Sequence, residues 1–154
     1  MTKAWIALLI ALVPAAAFAD PQVTLTSSIA VIKSKPGPGG KAVVTTEAPK
    51  LVTPGDRLVL TLDWVNGSGR PAEHFNVTDP IPPGLAFAGN ASGGAEVSVD
   101  GGKTFGALES LQLAGADGKP RAAEAADVTH VRWSFSKAIA PGERGELRFE
   151  AIVK

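Results

Sequence analysis

The stretch Asp56-Arg57-Leu58-Val59-Leu60-Thr61-Leu62-Asp63-Trp64 decides the fold. Leu58, Leu60, Leu62 and Trp64 share one face; Arg57, Thr61 and Asp63 share the other. Strict alternation over this length is the pattern of a half-buried β-strand, whose successive side chains point to opposite faces. The alternation returns twice. From Thr129 to Ser136, Val131, Trp133 and Phe135 alternate with His130, Arg132, Ser134 and Ser136. From Gly145 to Lys154, Leu147, Phe149, Ala151 and Val153 alternate with Glu146, Arg148 and Glu150. No segment after residue 19 repeats with a helical period, although Ala122 to Ala126 has room for one helical turn.

Shorter strands fill the spaces between. Gln22 to Lys33 is rich in Val, Ile and Thr, a strand composition, and Val43 to Thr46 is a short candidate. Phe75, Val77 and Ile81 define a strand cut off by Pro80 and Pro82-Pro83. Leu85 to Ala88, Ala95 to Val99 and Leu108 to Leu113 follow. Turn residues separate them, among them Pro54-Gly55-Asp56, Asn66-Gly67-Ser68-Gly69, Pro83-Gly84, Asp117-Gly118 and Pro141-Gly142. About seven to eight short strands with one apolar face each predict an all-β protein, an immunoglobulin-like antiparallel β-sandwich. The predicted core is Leu58, Leu60, Leu62, Trp64, Val131, Trp133, Phe135, Leu147 and Phe149, with Trp64 and Trp133 meeting inside it.

Residues 1 to 19 read as a secretory signal peptide. Lys3 precedes an apolar run from Ala4 to Val13, Pro14 breaks it, and Ala17-Phe18-Ala19 offers a small-x-small cleavage site. Cleavage between Ala19 and Asp20 leaves a single domain over residues 20–154, with no membrane insertion after cleavage. The apolar run is shorter than the roughly 20 residues a membrane-spanning helix needs. The predicted location is therefore outside the cytoplasm, periplasmic or extracellular.

Composition removes several chemistries. The chain of 154 residues has no Cys, so disulfides, thiol nucleophiles and cysteine-ligated metal centres are excluded. Basic and acidic residues number 15 each, a net charge of zero, which offers no electrostatic footprint for nucleic acid. No G-x-S-x-G elbow occurs.

The ordered series Pro54-Gly55-Asp56, an alternating strand, Asn66-Gly67-Ser68-Gly69 and Asn76-Val77-Thr78-Asp79-Pro80-Ile81-Pro82-Pro83-Gly84-Leu85 resembles the DUF11 repeat domain of bacterial exported and surface proteins. Ile139-Ala140-Pro141-Gly142-Glu143, leading into the last strand, continues the resemblance, which covers about residue 52 to the end. It implies an immunoglobulin-like sandwich with no assigned catalytic residues. This chain carries one copy of the series.

Ser98-Val99-Asp100-Gly101-Gly102-Lys103-Thr104-Phe105 fits the pattern S-x-D-x-G-x-T followed by an aromatic, similar to the Asp-box hairpins of sialidase propellers. A propeller needs several four-stranded blades, more than this chain can supply. The predicted role of Asp100, Gly101 and Gly102 is a hairpin turn held by the Asp side chain. His74 and His130 are the only histidines, too few for a zinc or copper site, and Asp63, Asp79, Asp100, Asp117 and Asp127 are scattered, as turn caps are. Asn66, Asn76 and Asn90 each begin an N-x-S/T sequon. No catalytic residue, metal site or cofactor is predicted. The predicted function is a non-enzymatic structural or protein-interaction module of the bacterial cell envelope, its partner another envelope protein at an edge strand. The alternatives are a small-ligand or glycan-binding sandwich, with Phe87 and Phe105 as the free aromatics, and last a hydrolase.

Overall fold

The computed structural model describes residues 23–36 and 42–154. The leader and cleavage site expected at Ala19 and Asp20 lie outside the described residues. The described chain forms ten strands: β1 (Val23–Pro36), β2 (Ala42–Glu47), β3 (Arg57–Asn66), β4 (Asn76–Pro80), β5 (Leu85–Ala91), β6 (Glu96–Ser98), β7 (Gln112–Ala114), β8 (Pro120–Ala122), β9 (His130–Ser134) and β10 (Arg144–Val153). Every pairing is antiparallel. A five-stranded sheet runs β2-β1-β3-β10-β5 and a three-stranded sheet runs β4-β9-β6, with β7-β8 as a separate small hairpin. The protein is an all-β sandwich, with ten strands where the sequence suggested seven to eight.

The alternation seen in the sequence sets the core. In β3 every second side chain from Leu58 to Asn66 is buried. Across the pair with β10, Leu58 faces Ala151, Leu60 faces Phe149, Leu62 faces Leu147 and Trp64 faces Gly145. The smaller sheet presents Val77, Val97, Val131 and Trp133 to that face, all buried. Burying a side chain of this size contributes about 1.5–3 kcal/mol, so this apolar ladder carries the sandwich without a disulfide. Trp64 meets Phe135 edge-on with ring centres 5.2 Å apart, and Trp133 lies 6.3 Å from Phe149. Each indole thus packs on a phenylalanine, and both belong to the same core cluster. Phe135 is half-buried at the margin; the other predicted core residues are buried.

Local chemistry explains the departures. Leu108–Ser110 is a 3-10 turn, not a strand, and the Ser110 hydroxyl donates to Ala107 O, competing with ladder pairing. β8 was not foreseen because its three side chains are all exposed, so no face imposes alternation. The helical turn near Ala122 is a 3-10 turn at Ala125–Asp127, closed by a Glu124/Asp127 capping box. Asp127 also takes a two-pronged contact from Arg121 at 2.6 and 2.7 Å, which holds its carboxyl down at about 2.

Candidate interaction surface

The Asp-box hairpin assembles as its residues require. Asp100 Oδ1 accepts from the backbone N–H of Lys103 and Thr104, both at 3.0 Å, and from Ser98 Oγ at 2.8 Å. Thr104 Oγ1 donates to Asp100 Oδ2 at 2.7 Å. The donors of Thr104 first, then those of Ser98 and Lys103, hold the Asp100 carboxyl well below the ordinary range. Gly101 and Gly102 have φ of 79° and 84°, open to glycine at little cost. The loop lies on the outer face of the small sheet: Gly102 sits against the His130 ring, and Phe105 stacks on the Arg132 guanidinium at 4.0 Å. Arg132 also bonds Glu96 at 2.6 Å. These groups bond one another in a structural clasp, with Arg132 Nε left buried and without a hydrogen-bond partner.

The other polar residues do not converge. His74 precedes the β4–β9 pair at the Asn76–Ser134 end, while His130 stands at its Pro80 end. No group of three or more His, Asp or Glu among the described residues is arranged to hold a metal. Asp100, Asp117 and Asp127 do cap turns. Asp63 and Asp79 instead lie within β3 and β4. Phe87 is buried against Phe149, so it is not a free aromatic.

Two buried polar residues escaped the sequence. Ser98 is fully buried beneath its hairpin. Asn66 is 0 % exposed; its Nδ2 donates to Arg70 O at 2.9 Å and Ile139 O at 2.8 Å, and its Oδ1 accepts from Ser68 N and Ser68 Oγ. A sequon at this position holds no accessible amide. The signal was present: Asn66 continues the inward phase of Leu60, Leu62 and Trp64.

The sheet edges separate more clearly than the polar residues. Exposed edges are blunted in stable proteins by bulges, prolines, inward charges or cover. β5 is broken by a register shift against β10, carries Gly89 at φ 85°, and has the Ala125–Asp127 turn packed on it. β4 ends in Pro80 and turns Asp79 inward beside Val131. Burial lifts the Asp79 carboxyl above its ordinary value, partly offset by His130. The far side of β6 is bonded both ways to Gly106.

Among the described residues, β1 has no such protection. Its first part pairs with β3 from Val23 to Val31, and β2 covers its far side only from Val31 to Pro36. Among the described residues, no strand pairs with the far side of β1 from Val23 to Ala30. Thr24 to Ile29 are all exposed, and no charged residue occurs from Val23 to Ile32. Leu25 and Ile29 point to the core face, opposite Trp64 and Leu60, yet each stays 43 % exposed because the three-stranded sheet does not reach so far. A groove of about 550 Å³ continues this flank, lined by Val31, Lys33, Glu47, Ala48, Lys50 and Leu51.

A second hollow, of about 490 Å³, is lined by residues of all five strands of the large sheet, Val59 and Arg57 among them. Its only ring is Phe149, which is itself buried, so it offers no stacking platform for a sugar. Arg57 there is tied to Glu150 at 3.4 Å, and Arg148 to Glu146.

No family model, curated protein or solved structure matches this chain. What can be said of its role rests on the surface just described.

Proposed function

We propose that this protein is an exported, non-catalytic interaction module of the bacterial cell envelope, and that it works through the open edge of β1 and the apolar flank beside it. One observation carries the reading. Every large apolar side chain exposed among the described residues falls between positions 25 and 52: Leu25, Ile29, Val44 at 64 %, Leu51 at 82 % and Val52 at 38 %. Leu25 and Ile29 stand on the inward face of the open edge and Leu51 lines the groove beside Val31, whereas Val44, paired with Ser34, lies on the other face of the sheet. Exposed apolar side chains along an unpaired edge mark a binding face. An open edge there supplies backbone donors and acceptors to an added strand, and the adjoining side chains supply selectivity. The leader sequence supports export, and the resemblance to DUF11 domains accords with a surface module. The mutual pairing of Arg121 with Asp127 and Arg132 with Glu96 accords with a scaffold role.

The test is site-specific photo-crosslinking in intact cells. A photoreactive residue at Leu25 or Thr26 gives protein adducts, and the same residue at Thr78, on the outer face of the small sheet, gives none. Equal labelling at all three positions, or none at Leu25 and Thr26, refutes the assignment.

A further inference from the structure

We propose that the open edge of β1 pairs with β1 of a second copy of this chain, antiparallel, about a twofold axis through Ser27. The inference rests on the edge being the working surface, as proposed above, and names its occupant.

Over residues 25–29 the sequence of the edge is a chemical palindrome. Reading outward from Ser27, Thr26 corresponds to Ser28 and Leu25 to Ile29; the match ends at Thr24, which stands opposite Ala30. A twofold axis normal to the sheet makes these the directly opposed pairs, since an isologous contact brings residue i to j and j to i. Directly opposed residues of an antiparallel pair share a face. Each Leu25 therefore meets Ile29 of the second copy on the core-facing side, and these are the two half-exposed apolar side chains of the strand. Thr26 meets Ser28 on the outer side, where hydroxyl pairs favour cross-strand contact. No charge lies in the segment to oppose its own copy. The pairing spans Thr24 to Ala30 and stops where β2 takes over at Val31.

β2, which among the described residues also ends the large sheet, lacks this symmetry. Centred on Thr45 it sets Val44 against Thr46, an apolar residue against a polar one. Self-pairing through β1 joins two five-stranded sheets into one of ten strands and brings the two uncovered flanks side by side. An interface built on one strand pair and four apolar side chains is at the small end of specific contacts, so the dimer is weak and concentration-dependent.

The absence of cysteine makes a clean test. The Cα atoms of directly opposed residues stand about 4.5–5.5 Å apart, within the range a disulfide spans. In the purified full chain, Ser27→Cys links to itself on mild oxidation about a hundredfold faster than Thr24→Cys, the gain that proximity at millimolar effective concentration gives over chance collision. Ser27→Lys sediments as a monomer, as does Ser27→Asp, and mixing the two restores the dimer. Unchanged circular dichroism of each variant separates lost pairing from lost folding. Equal linking rates for Ser27→Cys and Thr24→Cys, or no heterodimer from the charge pair, overturn the proposal. If the chain is monomeric but crosslinking from Leu25 and Thr26 still captures another protein, the dimer is wrong and the working edge stands. If both fail, both readings fall.

Discussion

Asn66 is the position where one substitution should reveal most about how the sandwich is closed. Its side chain ties the loop after β3 to the Ile139–Glu143 turn: Nδ2 donates to Ile139 O and Arg70 O, and Oδ1 takes two bonds from Ser68. Asn66→Ala removes all four. A typical bond is worth about 0.5–1.5 kcal/mol net, and three of the four lie at a partly solvated margin where water replaces them. Ile139 O keeps its bond from Ala72 N, so its loss is partial. The sum is about 3 kcal/mol, a large share of the stability of a domain this size. Asn66→Asp keeps the shape but turns a donor into an oxygen facing two carbonyl oxygens. The buried carboxylate is disfavoured there, so its folded-state pKa rises. An acid with a raised folded pKa carries its full penalty above that pKa and loses it below the unfolded value of about 3.9. A rise of two units adds about 2.7 kcal/mol of instability at neutral pH. Urea unfolding followed by fluorescence of Trp64 and Trp133 measures both effects. Asn66→Asp should trail the wild type far more at pH 7 than at pH 4. A loss under about 1 kcal/mol for Asn66→Ala, or an Asn66→Asp deficit independent of pH, would refute the buried-clasp account.

Three further outcomes follow from particular contacts. Gly145→Ala places a Cβ 2.5 Å from Trp64 Cζ2, so the indole must move; the expected cost is about 1–3 kcal/mol with a shifted Trp emission, and an unperturbed variant would show that the ring is free to yield. Asp79→Asn should raise the melting temperature at pH 7, because burial disfavours the carboxylate, and the gain should vanish as pH falls below about 4, where the native Asp79 also protonates. Asp100 has the opposite sign: its contribution is complete above about pH 4 and lost as pH falls through its lowered folded value, so Asp100→Asn should unfold more readily than wild type at pH 7 and lose less on acidification. Thermal melts between pH 2 and 7 decide the last two.

The sandwich was legible because one face of β3, β9 and β10 alternates without interruption, and burial on a pleated strand imposes that period directly. The Asp100 hairpin was legible for a similar reason: its donors and acceptor lie within seven residues of one another. The candidate surface was not. Gln22 to Lys33 reads as a strand, and nothing in those residues says that Leu25 and Ile29 remain half-exposed while Val31 is buried. Phe87 misled in the opposite direction, since its burial comes from Phe149, on a strand far along the chain.

What the sequence determined by itself was local: the leader-like opening, the strand periods and their inward faces, the turns, and the chemistries excluded by the missing cysteines. Which strands became edges was decided only by the tertiary structure. A residue's side of a strand follows from its parity, a property of the chain alone. Its exposure depends on whether another strand lies beside or beneath it, and that is set by sheet order and by the mismatch between five strands and three.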